Sequence, residues 1–338
     1  MDNGFNGTVV STRVRLARNL EGYPFPNRLK SEKQAKEIIR LVSSGFSRLD
    51  EFRLYYMDKV TEEEADVLKD NHLISPNLIN NKRFSAALIN SEENLSIMIN
   101  EEDHLREQCI VKGLDLKLAY DTMSEIDNGI SRTMKFAYDE QLGYLTACPT
   151  NLGTGLRASV MLFLPALTMG GVMPKVIRSI SKLGLTVRGV YGEGSEAEGY
   201  MYQISNEVTL GVSEEEILSQ VEEVVKKVCE LEESERAKLK VGPSSLEVKD
   251  DCMRAYGIVT NCAVLSTGEL VKLAAKVKLG ALLGYIKIDD VSLIDELVIQ
   301  MRPANINTLA GRTLTPIDRD MFRAQYAGKR FKKIANNT

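Results

Sequence analysis

Arginines and carboxylates stand in short polar clusters along this sequence, and their spacing suits the handling of phosphate. In Ser11-Thr12-Arg13-Val14-Arg15, alternation along an extended segment places Arg13 and Arg15 on one face. Two guanidinium groups side by side repel unless an anion lies between them; a solvated strand edge is the other reading. Asn100-Glu101-Glu102-Asp103-His104-Leu105-Arg106 follows the apolar Ile97-Met98-Ile99. It reads as a strand mouth facing a cleft, or as a helix start whose dipole the acids offset. Cys148-Pro149-Thr150-Asn151-Leu152-Gly153-Thr154-Gly155-Leu156-Arg157 is a glycine-rich turn that can bring backbone N–H groups and Arg157 to a phosphate. Its stretch from Gly153 to Ala158 also fits G-x-G-x-x-A. No βαβ unit and no ribose-binding acid follow it, which argues against a dinucleotide fold. Arg188-Gly189-Val190-Tyr191-Gly192-Glu193-Gly194-Ser195-Glu196-Ala197 surrounds an acid with glycines, as a loop closing over a substrate would, and as an exposed hairpin loop would. His72, in Asp70-Asn71-His72, stands where a helix should end, a position that suits a cap or packing residue as well as a functional one.

Arg13, Arg15, Arg106, Arg157 and Arg188 all fall on expected strand ends or turns, with Glu102 and Glu193 in the same class of position. Phosphoryl transfer is catalysed mainly by positioning and charge neutralisation. Arginine suits that work because its planar fork grips phosphate oxygens bidentately and keeps its proton.

The elements that must hold these clusters are legible from caps and periodicity. Ser31 with Gln34, Thr61 with Glu64, and Ser213 with Glu216 open helices. Ile217, Val221, Val224, Val228 and Leu231 give the third a buried face. Strands are expected at 84–89 and 95–99, joined as a hairpin, and at 142–147, 185–191 and 200–205. The fold class is therefore α+β, an antiparallel sheet flanked by helices. The charged run from Glu232 to Lys240 and the breaker Gly242-Pro243 mark a boundary, giving a catalytic domain over 1–238 and a mostly helical domain over 239–338. Helices are expected there at 250–263, 267–276, 291–301 and 316–328. A net charge of −4 argues against nucleic-acid binding. The most apolar stretch, 158–176, is broken by Pro165, Gly170, Gly171 and Pro174 and does not suit a membrane span. Five cysteines without a C-x-x-C pair, and two histidines, speak against disulfide and zinc frameworks. The first residues have neither a basic start nor an apolar run, so a reduced, cytoplasmic protein is expected.

Five of these clusters, in this order, resemble the phosphagen (guanidino) kinase family over roughly residues 8 to 235. Cys148 to Arg157 matches C-P-[ST]-N-x-G-T-G-x-R, Asn100 to Arg106 matches N-E-E-D-H-x-R, and Ser11 to Arg15 matches S-[ST]-R-[VI]-R. The resemblance implies the guanidino-kinase catalytic fold, with ATP and Mg2+ as cofactors. It implies that the nucleotide lies along Ser11, Thr12, Arg13, Val14 and Arg15, His72, Arg106, the strand Arg157, Ala158, Ser159, Val160 and Met161, and Arg188, Gly189, Val190, Tyr191 and Gly192. Glu102 is then the carboxylate that orients the acceptor guanidinium, Glu193 its partner, Cys148 the reactive thiolate beside it, and Glu101 the acid that orients magnesium-bound water. The family's small-guanidine enzymes carry a helical domain before the S-[ST]-R element; here Ser11 lies near the first residue given. That difference, the loop R-G-x-Y-G-E-G-S-E-A and the added C-terminal region resemble the family's protein arginine kinase (McsB-type) branch. In that branch an R-D-x-x-R-A motif binds phosphoarginine, and it reads here Arg319-Asp320-Met321-Phe322-Arg323-Ala324. On a helix Arg319 and Arg323 share a face and Asp320 is free for a guanidinium. The resemblance further implies a homodimer through the C-terminal domain and a zinc-binding activator. It also implies targets among unfolded proteins and a heat-shock repressor, and delivery to a Clp protease. A metabolic kinase acting on free arginine and a phosphoarginine-binding adaptor are the competing readings.

Overall fold

The computed structural model describes residues 5, 7–46, 52–189 and 197–336. The first strand, β1 (Val9–Arg18), leads into helix α1 (Glu32–Phe46), and β2 (Phe52–Tyr56) into α2 (Glu62–Asp70) and α3 (Pro76–Asn80). The hairpin β3 (Ala86–Asn90) and β4 (Leu95–Ile99) is followed by β5 (Leu105–Lys112) and α4 (Leu116–Ser131). Two-residue strands β6 (Tyr138–Asp139) and β7 (Gly143–Tyr144) pair with each other. Then come β8 (Leu156–Phe163), α5 (Pro165–Met169), α6 (Met173–Ser181), β9 (Leu185–Gly189) and β10 (Met201–Asn206). The long α7 (Glu214–Val241) leads to α8 (Ser245–Asn261), α9 (Thr267–Leu282), α10 (Ser292–Gln300), α11 (Pro303–Ala310) and α12 (Pro316–Asn336).

Eight strands form one antiparallel sheet in the order β2-β3-β4-β5-β1-β8-β10-β9, the fold class expected from the sequence. Thr61 and Ser213 make full capping boxes with Glu64 and Glu216. The strand expected at 142–147 is reduced to the two residues of β7, which pairs with the equally short β6 while Tyr144 also bridges to Gly153.

The two faces of the sheet are treated differently. Val14, Leu16, Leu88, Ile97, Ala158, Val160 and Ile204 point to one side, where α1, α4, α6 and α7 cover them with a continuous apolar core. On the other side, Ala87, Ile89 and Met98 are covered only near β3 and β4, by α2 and α3. Farther along, Phe163 enters the core of the C-terminal helices α8 to α12. Between these two covers the sheet face is left bare, and a trough results.

The C-terminal helices are tied to both ends of that trough. The Lys278 ammonium is buried, lies 4.7 Å from the Phe163 ring centre and donates to Asp295 at 2.6 Å. From α11, Ala304 N–H donates to the Asp70 carboxylate at 3.3 Å and the Asn305 amide to Asn71 at 2.9 Å. The charged run 232–240, expected at a boundary, forms the last turns of α7, so the division expected after residue 238 falls inside that helix. Glu232 is buried there because its carboxylate accepts the Ala166 and Leu167 N–H groups at 3.0 and 2.9 Å, capping α5. Burial pushes its pKa up to about 7.

Phe163 is 1% exposed and links the sheet to the helical body. Phe163→Ala is expected to lower stability by about 3–5 kcal/mol. Urea unfolding measures this, and an unchanged midpoint would show that the ring does not pack as described.

Candidate active site

The trough is where alternation and strand register bring the arginines together. Along β1, beyond the irregularity between Val9 and Ser11, Arg13, Arg15 and Ala17 face it: Arg13 sits opposite Ser159, and Arg15 opposite Arg157, across to β8. On the other flank Arg106 of β5 stands opposite Ala17. Arg188 lies across from Gln203, and Gln203 accepts a hydrogen bond from the Arg13 guanidinium at 3.1 Å. Together with Glu101, Glu102 and Cys148, these residues line a cleft of about 560 Å³.

The charges in it are not balanced from within. Burial lowers the Arg13 pKa to about 10, and the charges of Arg106 and Arg157 add to the effect. Arg15 is held well below its ordinary value, by burial first and then by Arg13, Arg106 and Arg157. Arg157 is lowered by burial and by Arg188. Among the described residues the Arg15 and Arg157 Nε atoms are buried with no hydrogen-bond partner. Buried donors without partners are costly, and here they face a site of positive potential. An anion with many oxygens, such as a nucleoside triphosphate, offers acceptors to such donors.

Across the cleft stand the acids. Glu101 is fully buried at its side chain and paired with Arg106 at 2.9 Å. It also accepts from the Ser75 hydroxyl at 2.6 Å and from the Glu102 N–H at 3.1 Å. Glu102 is exposed, and its pKa is raised by partial desolvation and by Asp103 and Glu101, with Arg106 and then Cys148 working the other way. A solvent-facing carboxylate of raised basicity suits an acceptor of protons. Asp103 joins the acid turn to the cysteine segment: it accepts from Asn19 and from the Ala147 N–H, each at 2.6 Å. Among the described residues no three ligating side chains converge to hold a metal directly. Glu101, the acid expected to orient magnesium-bound water, lines the cleft with its carboxylate paired to Arg106.

Not every residue named for the nucleotide lines this cleft. Thr12, Val14, Ala158 and Val160 are buried on the opposite side of the sheet, since even-numbered residues of β1 and β8 face the core. Both strands are paired on each edge, so their backbone is spent as well. Ser159 is buried and donates to the Arg13 carbonyl, and Met161 pairs with Ser11 outside the cleft. Ser11 and His72 line a neighbouring cavity of about 650 Å³, walled on its far side by Asp295, Glu296 and Ile299 of α10. Burial, then Arg302 and Arg13, hold the His72 pKa down to about 4, so the ring is neutral near pH 7. Val190, Tyr191, Gly192 and Glu193 lie outside the described residues, whereas Gly189 lines the cleft. In α12 the expected arginine clasp is altered. Arg323 is 1% exposed and donates to the carbonyls of Met301 at 2.9 Å and Leu265 at 2.8 Å, and to the Asp320 carboxylate. That face of α12 meets the core, leaving Arg319 half-buried and Ala324 buried. Gln203 was missed by sequence reasoning, although alternation in its strand gives it the parity of the cleft. Asp103 was visible in the acid run but had no role assigned.

Residues 33–235 match the family described as ATP:guanido phosphotransferase, C-terminal catalytic domain, and residues 245–338 match the protein-arginine kinase McsB C-terminal domain. A protein-arginine kinase of Caldanaerobacter subterraneus subsp. tengcongensis is 43% identical over 330 residues, covering 96% of this chain and 97% of that protein. One from Pelotomaculum thermopropionicum is 42% identical over 331 residues, covering 96% and 93%. Among solved structures, the substrate-free duplicated taurocyamine kinase from Schistosoma mansoni superposes with a TM-score of 0.62 at 28% identity. That match covers 78% of this chain but 39% of the duplicated one. Lombricine kinase gives 0.61 at 28% identity, covering 68% of this chain and 67% of its own.

If the crowded arginines await an anion, inorganic pyrophosphate will raise the melting temperature beyond chloride of equal ionic strength. A tenfold excess over its dissociation constant stabilises by about 1.4 kcal/mol. Arg15→Gln relieves the repulsion and is expected to melt higher than the parent chain without ligand, while losing most of the pyrophosphate effect. A lower melting temperature with the ligand effect intact would refute this account of the cleft.

Proposed function

The chain belongs to the ATP:guanido phosphotransferase family, and on that premise we propose that it transfers the γ-phosphoryl group of ATP to arginine side chains of proteins. The observation that carries the transfer chemistry is the convergence of Arg13, Arg15, Arg106, Arg157 and Arg188 on one cleft whose opposite wall holds Glu102 and Cys148. The arginines grip the triphosphate and take up the charge that develops as the phosphoryl group moves. Magnesium on the phosphates supplies further neutralisation, with Glu101 the residue that would orient its water.

The acceptor needs help of another kind. A guanidinium is protonated at any working pH and its lone pairs are delocalised, so it attacks poorly. Glu102 binds it, aligns one nitrogen with the γ-phosphorus and receives the proton that leaves. Glu193 is the second carboxylate in this proposal. Cys148 sits beside Glu102 and contacts the same guanidinium. The protein half of the reading is supported by relatives named protein-arginine kinase that match nearly the full chain, and by the matching C-terminal domain.

The wider proposal is a cytoplasmic homodimer joined through the C-terminal helices. It marks unfolded proteins and a heat-shock repressor for a Clp protease in the stress response, and it is stimulated by a zinc-binding partner. Arg319 and Asp320 are its phosphoarginine contacts, with Arg323 holding Asp320 in place. A metabolic kinase for free arginine and a phosphoarginine-binding adaptor are the alternatives.

Incubation with Mg-ATP and an unfolded, arginine-containing protein, beside free arginine, decides among these. Acid-labile phosphate on protein arginines is expected. Transfer to free arginine alone would establish the metabolic kinase, and no transfer at all the adaptor. Glu102→Gln is expected to reduce turnover at least a thousandfold with Mg-ATP affinity kept within about threefold; retained turnover sinks its assignment.

A further inference from the structure

Arg18 is the last residue of β1, and its even number puts it on the side of the sheet away from the cleft. It is 1% exposed, yet every guanidinium nitrogen is used. Nε donates to both Asp127 oxygens at 3.1 Å, and Nη2 to Oδ2 at 2.9 Å. Nη1 donates to the carbonyls of Ala17 at 3.0 Å and Thr154 at 2.9 Å. The Tyr144 ring covers the group at 3.6 Å, and Tyr144's own N–H donates to the Gly153 carbonyl at 2.8 Å.

Those contacts converge on the turn through Gly153, Thr154 and Gly155. The turn has no room to shift. A Cβ on Gly155 would stand 2.6 Å from both the Ala17 carbonyl oxygen and Arg18 Nη1, and the residue has φ of 66°. A Cβ on Gly153 would stand 2.2 Å from the Thr209 carbonyl oxygen. Cys148 lies just before this turn and Arg157 just after it, and both line the cleft.

Two carboxylates face Arg18, Asp127 at 2.9 Å and Glu214 at 3.8 Å. Glu107 is fully buried nearby, and neither of its oxygens has a partner among the described residues. Burial, and then the Asp127 charge, push its pKa up, with Arg18 working the other way, and Asp127 is the carboxylate that bonds Arg18.

We propose that Arg18 is a positioning residue for phosphoryl transfer: anchored on Asp127, it holds the Gly153-Thr154-Gly155 turn at the height from which Cys148 and Arg157 reach the substrates. The catalytic part of this rests on the kinase reading above; the placement of the turn does not.

Two measurements separate them. Arg18→Lys keeps the charge but cannot reach Asp127 and the Thr154 carbonyl together. Gly155→Ala disturbs the same contact from the other side. The first measurement is the rate of Cys148 alkylation by iodoacetamide, followed by mass spectrometry on the folded full chain. Each variant is expected to shift that rate more than threefold, and an unchanged rate overturns the proposal. The second is turnover on an unfolded protein substrate. Each variant is expected to lose at least tenfold in kcat, and the double variant little more than either single one. A kcat within twofold of the parent, or additive losses, overturns the proposal even where the melting temperature has fallen. Should Arg18→Lys not fold, Asp127→Asn, which leaves the arginine but weakens its anchor, takes its place under the same criteria. No transfer by the parent chain would reject the kinase reading, while the alkylation rates still judge the placement.

Discussion

Repulsion among guanidinium groups on a bare sheet face is the constraint that the rest of this molecule serves. Arg13, Arg15 and Arg157 are brought together by antiparallel register between β1 and β8, and burial first, then neighbouring guanidinium charge, lowers their proton affinities. Such crowding is unfavourable for the empty chain and favourable once an anion of comparable charge lies among them. The stability it costs must be made up elsewhere, and the single apolar core under the opposite face is the main source.

The sheet can hold this tension because its strands are fixed on both edges. β1 is paired to β5 and β8 over most of its length, so the arginines cannot separate by letting the strand slide. Opposite charge is then placed with economy. Glu101 meets Arg106 and is buried, while Glu102, one residue on, remains open to solvent with a raised pKa. Neighbouring carboxylates thus take different environments within one turn.

The C-terminal helices are part of the same frame rather than an addition to it. Phe163 lies on the arginine face of β8, two residues beyond Met161, and ends the trough by entering their core. At the other end α11 meets Asp70 and Asn71 beside His72. The helical body therefore borders the trough where the sheet face would otherwise stay exposed, and it carries Arg319 and Asp320 on α12 at the same time.

By itself the sequence determined the local and the chemical. Caps at Thr61 and Ser213 and the alternation around Arg13 and Arg15 depend on neighbours a few residues away, so they could be read without the fold. The ordered polar clusters carried the family for the same reason: each is a contiguous run. What only the tertiary structure decided were relations between distant segments. Which face of β1 meets the cleft depends on pairing with β8, so Thr12 and Val14 fell on the core side although they sit inside the motif. Arg18 continues the same run of arginines, yet its parity sends it beneath the sheet to Asp127. In the same way the expected clasp of Arg319 and Arg323 depended on which side of α12 meets the core, and packing turned Arg323 inward to the Leu265 and Met301 carbonyls. Periodicity specifies that a face exists; only burial against the rest of the chain specifies which way it looks.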